Sequence, residues 1–404
     1  MIPDDLYPLG NLSCEFLGMQ LENPFILAAS PCTDDLDMVR RAFASGWAGA
    51  ILKTTSVEGN PVNLAYPMMT SLTHEGKLLF GMGNIDLISV HHIDRVEQTI
   101  RTLKKEFPGK MVAASIMAGR MEDWQQLVER LERAGADLIE CSFSCPQGNI
   151  GEDPGKMLAQ SVRATETTAR WVKEASRRVP VAIKITPHVT DIVEVAQAVK
   201  RSGCDALTAS NSLQALMGVD LRTFVPSPRL DGKSTYSGLT GPAIKPITLR
   251  TIAEIARHVE IPILGTGGAS TWSDAVEFMA VGAGVVQFCT AVMHHGFGII
   301  DDLRSGMAHY LHDMGFSTPV QIVGKALPHI VSHDDLPRLT VRSHIEESAC
   351  IQCEVCYLAC RDGGHMAIDR TPGRVPRVNP DRCVGCGLCE QVCPEGCISM
   401  KAVV

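Results

Sequence analysis

Through the first three-quarters of the chain, short apolar runs rich in β-branched residues alternate with longer stretches whose apolar positions recur every three or four residues. The short runs fall at 25–29, 50–54, 112–117, 138–143, 181–186, 206–211, 262–266 and 285–289. Each is almost continuously apolar, as parallel strands covered on both faces must be. Between them, Trp124, Leu127, Val128 and Leu131 share one helical face, and Gly135 ends it. Ile252, Ile255, Ala256 and Val259 form a second face behind Pro246. Trp272, Ala275, Val276 and Met279 form a third, with Ser270 as the expected N-cap and Gly282 past its end. Strands and helices in this alternation predict an α/β architecture, a (β/α)8 TIM barrel over residues 1–315. A leading stretch at 14–20 predicts one arm of a hairpin under the barrel floor. Two connections, 56–89 and 212–245, are longer than ordinary and follow the second and sixth strands, where a barrel binds its substrate.

The alternation stops after residue 315. Residues 316–345 are expected to be a linker, because Leu327-Pro328, His333-Asp334-Asp335 and Pro337 break any period. Residues 346–404 then predict a small α+β ferredoxin-like domain carrying two [4Fe–4S] clusters. Its pattern is Cys350-x2-Cys353-x2-Cys356-x3-Cys360, a gap, then Cys383-x2-Cys386-x2-Cys389-x3-Cys393-Pro394. In this doubled spacing each run gives three thiolates to one cubane and its fourth cysteine to the other. Cys350, Cys353, Cys356 and Cys393 are therefore assigned to one cluster, and Cys360, Cys383, Cys386 and Cys389 to the second. Paired Cys-x2-Cys also binds zinc, which is the alternative. Cys397 lies outside the pattern and reads as a small buried hydrophobe. Arg370, Arg374, Arg377 and Arg382 form either a solvated face or a docking patch for an acidic redox partner.

Composition narrows the classes. The 404-residue chain is 45% hydrophobic with a net charge of −8 and no long basic run, which argues against nucleic acid. No apolar run approaches the ~18 residues of a membrane span. The start, Met1-Ile2-Pro3-Asp4-Asp5, is not a signal peptide, and cluster cysteines belong in a reducing cytoplasm.

Polar residues gather where the strands end: Ala29-Ser30, Lys53-Thr54, Ser144-Cys145, Lys184, Asn211-Ser212, Gly267-Gly268 and Cys289-Thr290. Glycines and strand ends seven and eight form the usual phosphate site of this fold. Lys53 and Lys184 stand inside apolar strands, and a buried lysine needs a counter-charge, such as an anionic flavin. Cys145 follows the fourth strand in a Gly- and Pro-rich loop. The chain lacks a GxGxxG nucleotide unit of its own.

Across almost its whole length the chain resembles the dihydropyrimidine dehydrogenases, in particular the bacterial subunit that joins an FMN barrel to two iron–sulfur clusters. The likeness rests on Asn23-Pro24-Phe25, Lys53-Thr54, Ala114-Ser115-Ile116-Met117, Ser144-Cys145-Pro146, Lys184-x-Thr186-Pro187, Gly238-x-x-Gly241 and Asp362-Gly363-Gly364-His365. The barrel alone is also similar to dihydroorotate dehydrogenase. The resemblance implies an oxidoreductase acting on the C=C bond of a pyrimidine ring. It implies FMN held by Ala29, Ser30, Lys53, Thr54, Lys184 and Asn211, with its phosphate on Gly238, Gly267–Gly268 and Cys289–Thr290. It implies Cys145 as the proton donor or acceptor, and substrate contacts from Asn84, Ser142, Ser144, Asn211 and Ser212. It also implies an FAD- and NAD(P)-binding partner subunit in a hetero-oligomer. The family carries Asn where this chain has Ser142, and Thr-Pro-Asn where it has Thr186-Pro187-His188. A hydroxyl is shorter than a carboxamide, so another cyclic amide or enone, or dihydroorotate, stays open as the substrate. His188 is equally readable as a surface-loop histidine.

Overall fold

The computed structural model describes residues 10–57, 65–74, 78–143 and 157–403. The chain divides into two compact units, Met1–His329 and Ile330–Val404.

The first unit opens with a hairpin, β1 (Cys14–Phe16) and β2 (Met19–Leu21). Asn23 then sets the first barrel strand. Its Nδ2 donates to the Gly46 carbonyl at 3.0 Å and its Oδ1 accepts from the Phe25 amide at 3.1 Å. The barrel strands are β3 (Phe25–Leu27), β4 (Gly49–Thr55), β7 (Met111–Ile116), β8 (Leu138–Ser142), β9 (Val181–Lys184), β10 (Ala206–Ala209), β13 (Ile263–Thr266) and β14 (Val285–Phe288). They are parallel and close in the order β10-β13-β14-β3-β4-β7-β8-β9. All eight apolar runs of the sequence thus became barrel strands.

Alternation along these strands separates two apolar layers. Phe25, Leu27, Val112, Ile139, Ile183, Leu207 and Val286 face the surrounding helices. Ile26, Ile51, Ala113, Leu138, Ala182, Ala206, Leu264 and Val285 cluster with Phe16 and Leu21 of the hairpin, which plugs the floor. The helices include α3 (Met121–Ala134), α6 (Lys245–His258), α7 (Trp272–Ala280) and α9 (Ile299–Met314). Trp124 of α3 is buried edge-on to Phe143, with ring centroids 5.5 Å apart. Helix α7 is capped by Thr271, not Ser270. Thr271 Oγ1 accepts from the Asp274 amide, while Asp274 Oδ2 accepts from the amides of Ser270 and Thr271. That reciprocal box is written in the sequence as Thr-x-x-Asp, one residue later than expected.

The two long connections also hold more order than their composition suggested. β5 (Met69–His74) and β6 (Leu78–Asn84) come from the first; β11 (Leu213–Ala215) and β12 (Ser237–Thr240) come from the second. They join as a four-stranded antiparallel sheet, β11-β12-β6-β5. Glycines disguised these strands as loops. They are needed because neighbours approach closely: a Cβ at Gly83 would lie 2.3 Å from Met217 Cγ, and one at Gly81 2.9 Å from the Thr240 carbonyl.

The expected linker at 316–345 is divided between the units. The turn Pro319–Ile322 buries Ile322, and the amides of Gly324 and Ala326 bond to the carbonyls of Met279 and Ala280. Val341–Ile345 is β15 of the second unit, antiparallel to β18 (Ile398–Ala402). That unit also holds α10 (Val355–Gly363), the short pair β16 (Ile368–Asp369) and β17 (Arg377–Val378), and α11 (Leu388–Gln391). Its buried cluster is Ile345, Cys356, Cys360, Ala367, Ile368, Cys389, Cys397 and Ile398, half of it cysteine. Among the described residues, no helix is long and apolar enough to cross a membrane.

Candidate active site

Above the apolar floor, the inward positions of the barrel turn polar. Glu140 on β8 is fully buried. Its Oε2 accepts from Thr208 Oγ1 at 2.8 Å and from Gln287 Nε2 at 3.0 Å. Its Oε1 has no hydrogen-bond partner and lies 3.8 Å from Lys184 Nζ at the end of β9. Lys184 is itself buried, so its charge faces that carboxylate.

Lys53, near the end of β4, is paired differently. Its Nζ lies 2.8 Å from Asp86 Oδ1 and 3.9 Å from Asp34 Oδ2, and Ser89 Oγ donates to Asp34 Oδ1. A counter-charge is therefore built into the protein, and the burial of Lys53 does not by itself require an anionic ligand. Beside it, Thr54 and Ser115 share a hydrogen bond of 2.8 Å between their hydroxyls.

The end of β3 leads through partly exposed Ala29 to buried Ser30. Ser30 caps the turn Pro31–Thr33: its Oγ accepts from the Cys32 amide, and its amide donates to Thr33 Oγ1. Burial pushes the Cys289 thiol up, opposed by a hydrogen bond to Ser30 and by the charge of Lys184. These partners bring the ends of β3, β9 and β14 together.

The glycines form a cradle. Gly267 and Gly268 have φ of +113° and +101°. A Cβ would lie 2.7 Å from Thr248 Oγ1 at the first and 2.6 Å from the Lys245 amide nitrogen at the second. Both conformation and space admit only glycine there. At Gly238 on β12, a Cβ would lie 2.4 Å from Ser212 Oγ. Asn84 Nδ2 donates to the Gly238 carbonyl at 3.1 Å. So Asn84, Ser212 and Gly238 converge, although they come from three segments. Gly241 packs on the other side, its Cβ direction 3.3 Å from Thr290 Cγ2 at the start of α8 (Thr290–His295).

Ser142 is buried at the end of β8, and half-buried Asn211 follows β10. The Asn211 amide donates to the Ile185 carbonyl, and its Oδ1 accepts from the Ser212 amide at 2.8 Å. His188 Nε2 accepts from the Gln214 amide at 2.7 Å, which ties the loop after β9 to β11. Ser144 and Cys145 lie outside the described residues.

These surroundings suit a bound polar cofactor. Ser210 Oγ, Ser237 Oγ and Gln287 Oε1 are buried without hydrogen-bond partners, and buried polar atoms of that kind need a partner. Two glycines with left-handed φ stand beside them, with amides free of any Cβ shield. The donor set fits a flavin with a phosphate tail.

In the second unit, the eight cysteines of the doubled pattern fall around two cavities. One is lined by Cys360, Cys383, Cys386 and Cys389. The other is lined by Cys350, Cys353, Cys356, Cys393 and Cys397. Hydrogen-bond donors already face the sulfurs: the Ala367 amide lies 3.3 Å from Cys360 Sγ and the Ser343 amide 3.4 Å from Cys383 Sγ. Among the described residues, no three His, Cys, Asp or Glu side chains are grouped to hold a single metal ion. Cys397, read as a plain hydrophobe, stands 3.4 Å from Cys393 Sγ. Of the arginines, Arg370 is paired with Glu354 and lies over the Tyr357 ring.

The residues that sequence reasoning left unassigned are Asp34, Asp86, Glu140, Thr208 and Gln287. Glu140, Thr208 and Gln287 did carry a signal: each is a polar position inside an apolar strand. Asp34 and Asp86 gave none, because they sit in loops.

The dihydroorotate dehydrogenase family model matches residues 11–311, and the 4Fe-4S dicluster domain model matches residues 343–400. The chain belongs to the family of dihydroorotate and dihydropyrimidine dehydrogenases. It is 38% identical over 398 residues to the NAD-dependent dihydropyrimidine dehydrogenase subunit PreA of Escherichia coli (strain K12), covering 97% of this chain and 96% of that one. It is 32% identical over 338 residues to the chloroplastic dihydropyrimidine dehydrogenase (NADP(+)) of Arabidopsis thaliana, covering 81% and 79%. With the catalytic subunit of dihydroorotate dehydrogenase B (NAD(+)) from Pyrococcus furiosus the identity is 33% over 321 residues, covering 78% of this chain and 99% of the relative. The chain is an oxidoreductase of this family, in which an iron–sulfur domain follows the barrel in sequence.

Proposed function

We propose that this chain is the catalytic subunit of a dihydropyrimidine dehydrogenase, with FMN at the barrel mouth and two [4Fe–4S] clusters in the C-terminal unit. When bound, FMN supplies hydride transfer at one carbon of the ring C=C bond, and the clusters supply single-electron transfer. The protein's own part is positioning and proton movement. Ala29, Ser30, Thr54 and Asn211 line the flavin, with the ammonium groups of Lys53 and Lys184. Gly238, Gly267, Gly268, Cys289 and Thr290 take the phosphate. Asn84, Ser142, Ser144, Asn211 and Ser212 meet the pyrimidine. Cys145 exchanges a proton with the second carbon, a task suited to a thiol of ordinary pKa ~8.5. Cys350, Cys353, Cys356 and Cys393 bind one cluster; Cys360, Cys383, Cys386 and Cys389 bind the other. A separate FAD- and NAD(P)-binding subunit exchanges electrons with the clusters. On this reading the flavin belongs to the unit Met1–His329 and the clusters to the unit Ile330–Val404.

The observation that carries this reading is the convergence of Asn84, Ser212 and Gly238 beside strand ends that bear two buried lysines. The Escherichia coli relative is an NAD-dependent dehydrogenase subunit, which supports the partner. Buried Ser142 favours a second substrate reading, because a hydroxyl leaves room and fewer donors where the family has a carboxamide. A substrate panel with a competent electron donor tests both. Turnover of uracil or thymine supports the pyrimidine assignment. Turnover of dihydroorotate or of another cyclic amide, with neither base accepted, overturns it.

A further inference from the structure

The upper barrel interior contains a carboxylate that the proposed chemistry leaves without a role. Glu140 has no exposed surface, and Thr208, Gln287 and Lys184 of other barrel strands reach its carboxylate. One oxygen is held by two neutral donors, Thr208 and Gln287. Neutral donors solvate a charge but do not cancel it. The other oxygen has no hydrogen bond and faces the Lys184 ammonium at 3.8 Å. A buried carboxylate is tolerated only with a counter-charge, and Lys184 is that counter-charge. The separation is beyond a direct hydrogen bond, so the ammonium remains free to donate elsewhere. Lys184 is thus held from below by charge while its donors stay available.

We propose that Glu140 is a positioning residue for Lys184 and sets how readily the flavin is reduced; this rests on the FMN reading above. Reduction of a flavin places negative charge near N1 and the C2 carbonyl, and a lysine there favours it. Glu140 opposes it. Its own negative charge acts through a low-dielectric interior, where a Coulomb term is several times larger than in water, and it offsets the field of the Lys184 ammonium without occupying its donors. Removing the charge while keeping the shape therefore makes the flavin easier to reduce.

The test is the flavin midpoint potential of the full-length, cluster-loaded protein, measured against a reference dye after flavin content is counted. Glu140→Gln shifts the two-electron reduction equilibrium at least tenfold toward reduced flavin, about 30 mV upward. Gln287→Lys gives the carboxylate a second ammonium and shifts it in the same direction, so the test survives if the first variant fails to fold. Thr208→Val removes a hydrogen bond from the same carboxylate but leaves its charge, and it does not raise the potential. An unchanged potential in flavin-bearing Glu140→Gln or Gln287→Lys overturns the inference alone. An equal rise in Thr208→Val also overturns it, because packing would then be the cause. Wild-type protein that binds no flavin overturns the FMN reading and this inference together.

Discussion

Asn84 Nδ2 donates to the carbonyl oxygen of Gly238 at 3.1 Å, across 154 residues of chain. The bond links the two long connections that leave the barrel after β4 and β10. It also places a carboxamide and a bare backbone segment beside Ser212 at the mouth. Neither connection shapes the site without the other.

Gly238→Ala tests that convergence. Its Cβ would meet Ser212 Oγ at 2.4 Å, and overpacking of this kind costs about 1–3 kcal/mol. The variant is expected to fold and to lose flavin, because the segment must move away from the mouth. Flavin per chain and the thermal midpoint check this; full flavin occupancy would contradict it.

Lys53 and Asp86 form a largely buried ion pair at 2.8 Å. Lys53→Met leaves the Asp86 carboxylate without its ammonium and is expected to cost about 3–5 kcal/mol. The double variant Lys53→Met/Asp86→Leu recovers part of that loss, because no buried charge is stranded. Denaturant unfolding of the two single variants and the double gives the coupling. Additive losses would show that the pair is not energetically joined.

The barrel was legible because its eight parallel strands are buried on both faces, which makes them almost continuously apolar. The doubled cysteine pattern was legible because cubane geometry imposes such a spacing; one cavity gathers Cys360, Cys383, Cys386 and Cys389, and the other gathers Cys350, Cys353, Cys356 and Cys393 together with Cys397. The four-stranded sheet was hidden because Gly81, Gly83 and Gly238 read as loop residues, although they answer close contacts. The acids were hidden for another reason. Asp34 and Asp86 reach Lys53 from loops, so only the folded chain shows that this lysine has partners. Glu140 stood in view beside Ser142, but its link to Lys184 depends on the register of β8 and β9. The Thr271 cap was missed by one residue because two hydroxyl residues stand side by side.

Cys145→Ala removes the proposed proton donor and leaves the flavin and iron ligands in place. Turnover is expected to fall about 10²–10⁴-fold, with flavin and iron content unchanged. Steady-state rates beside metal and flavin analysis check it. A rate near that of the wild type would remove Cys145 from the chemistry.

Cys386→Ser removes one thiolate from the cavity that Cys360, Cys383 and Cys389 also line. Iron is expected to fall below the wild-type count, and turnover driven through the partner subunit to be lost. Turnover with a small artificial donor that reaches the flavin directly is expected to persist. Unchanged partner-driven turnover would show that this cluster is not on the electron route.

The most direct test of the central claim is a count of iron, zinc and released flavin on anaerobically purified chain, read beside its visible spectrum. The account predicts about eight iron and one FMN per chain, with a brown cluster absorbance over the yellow flavin bands. Zinc in the cysteine sites with no flavin in the barrel would contradict it. Lys53, Lys184 and Glu140 would then be the ion pairs of a barrel that moves no electrons.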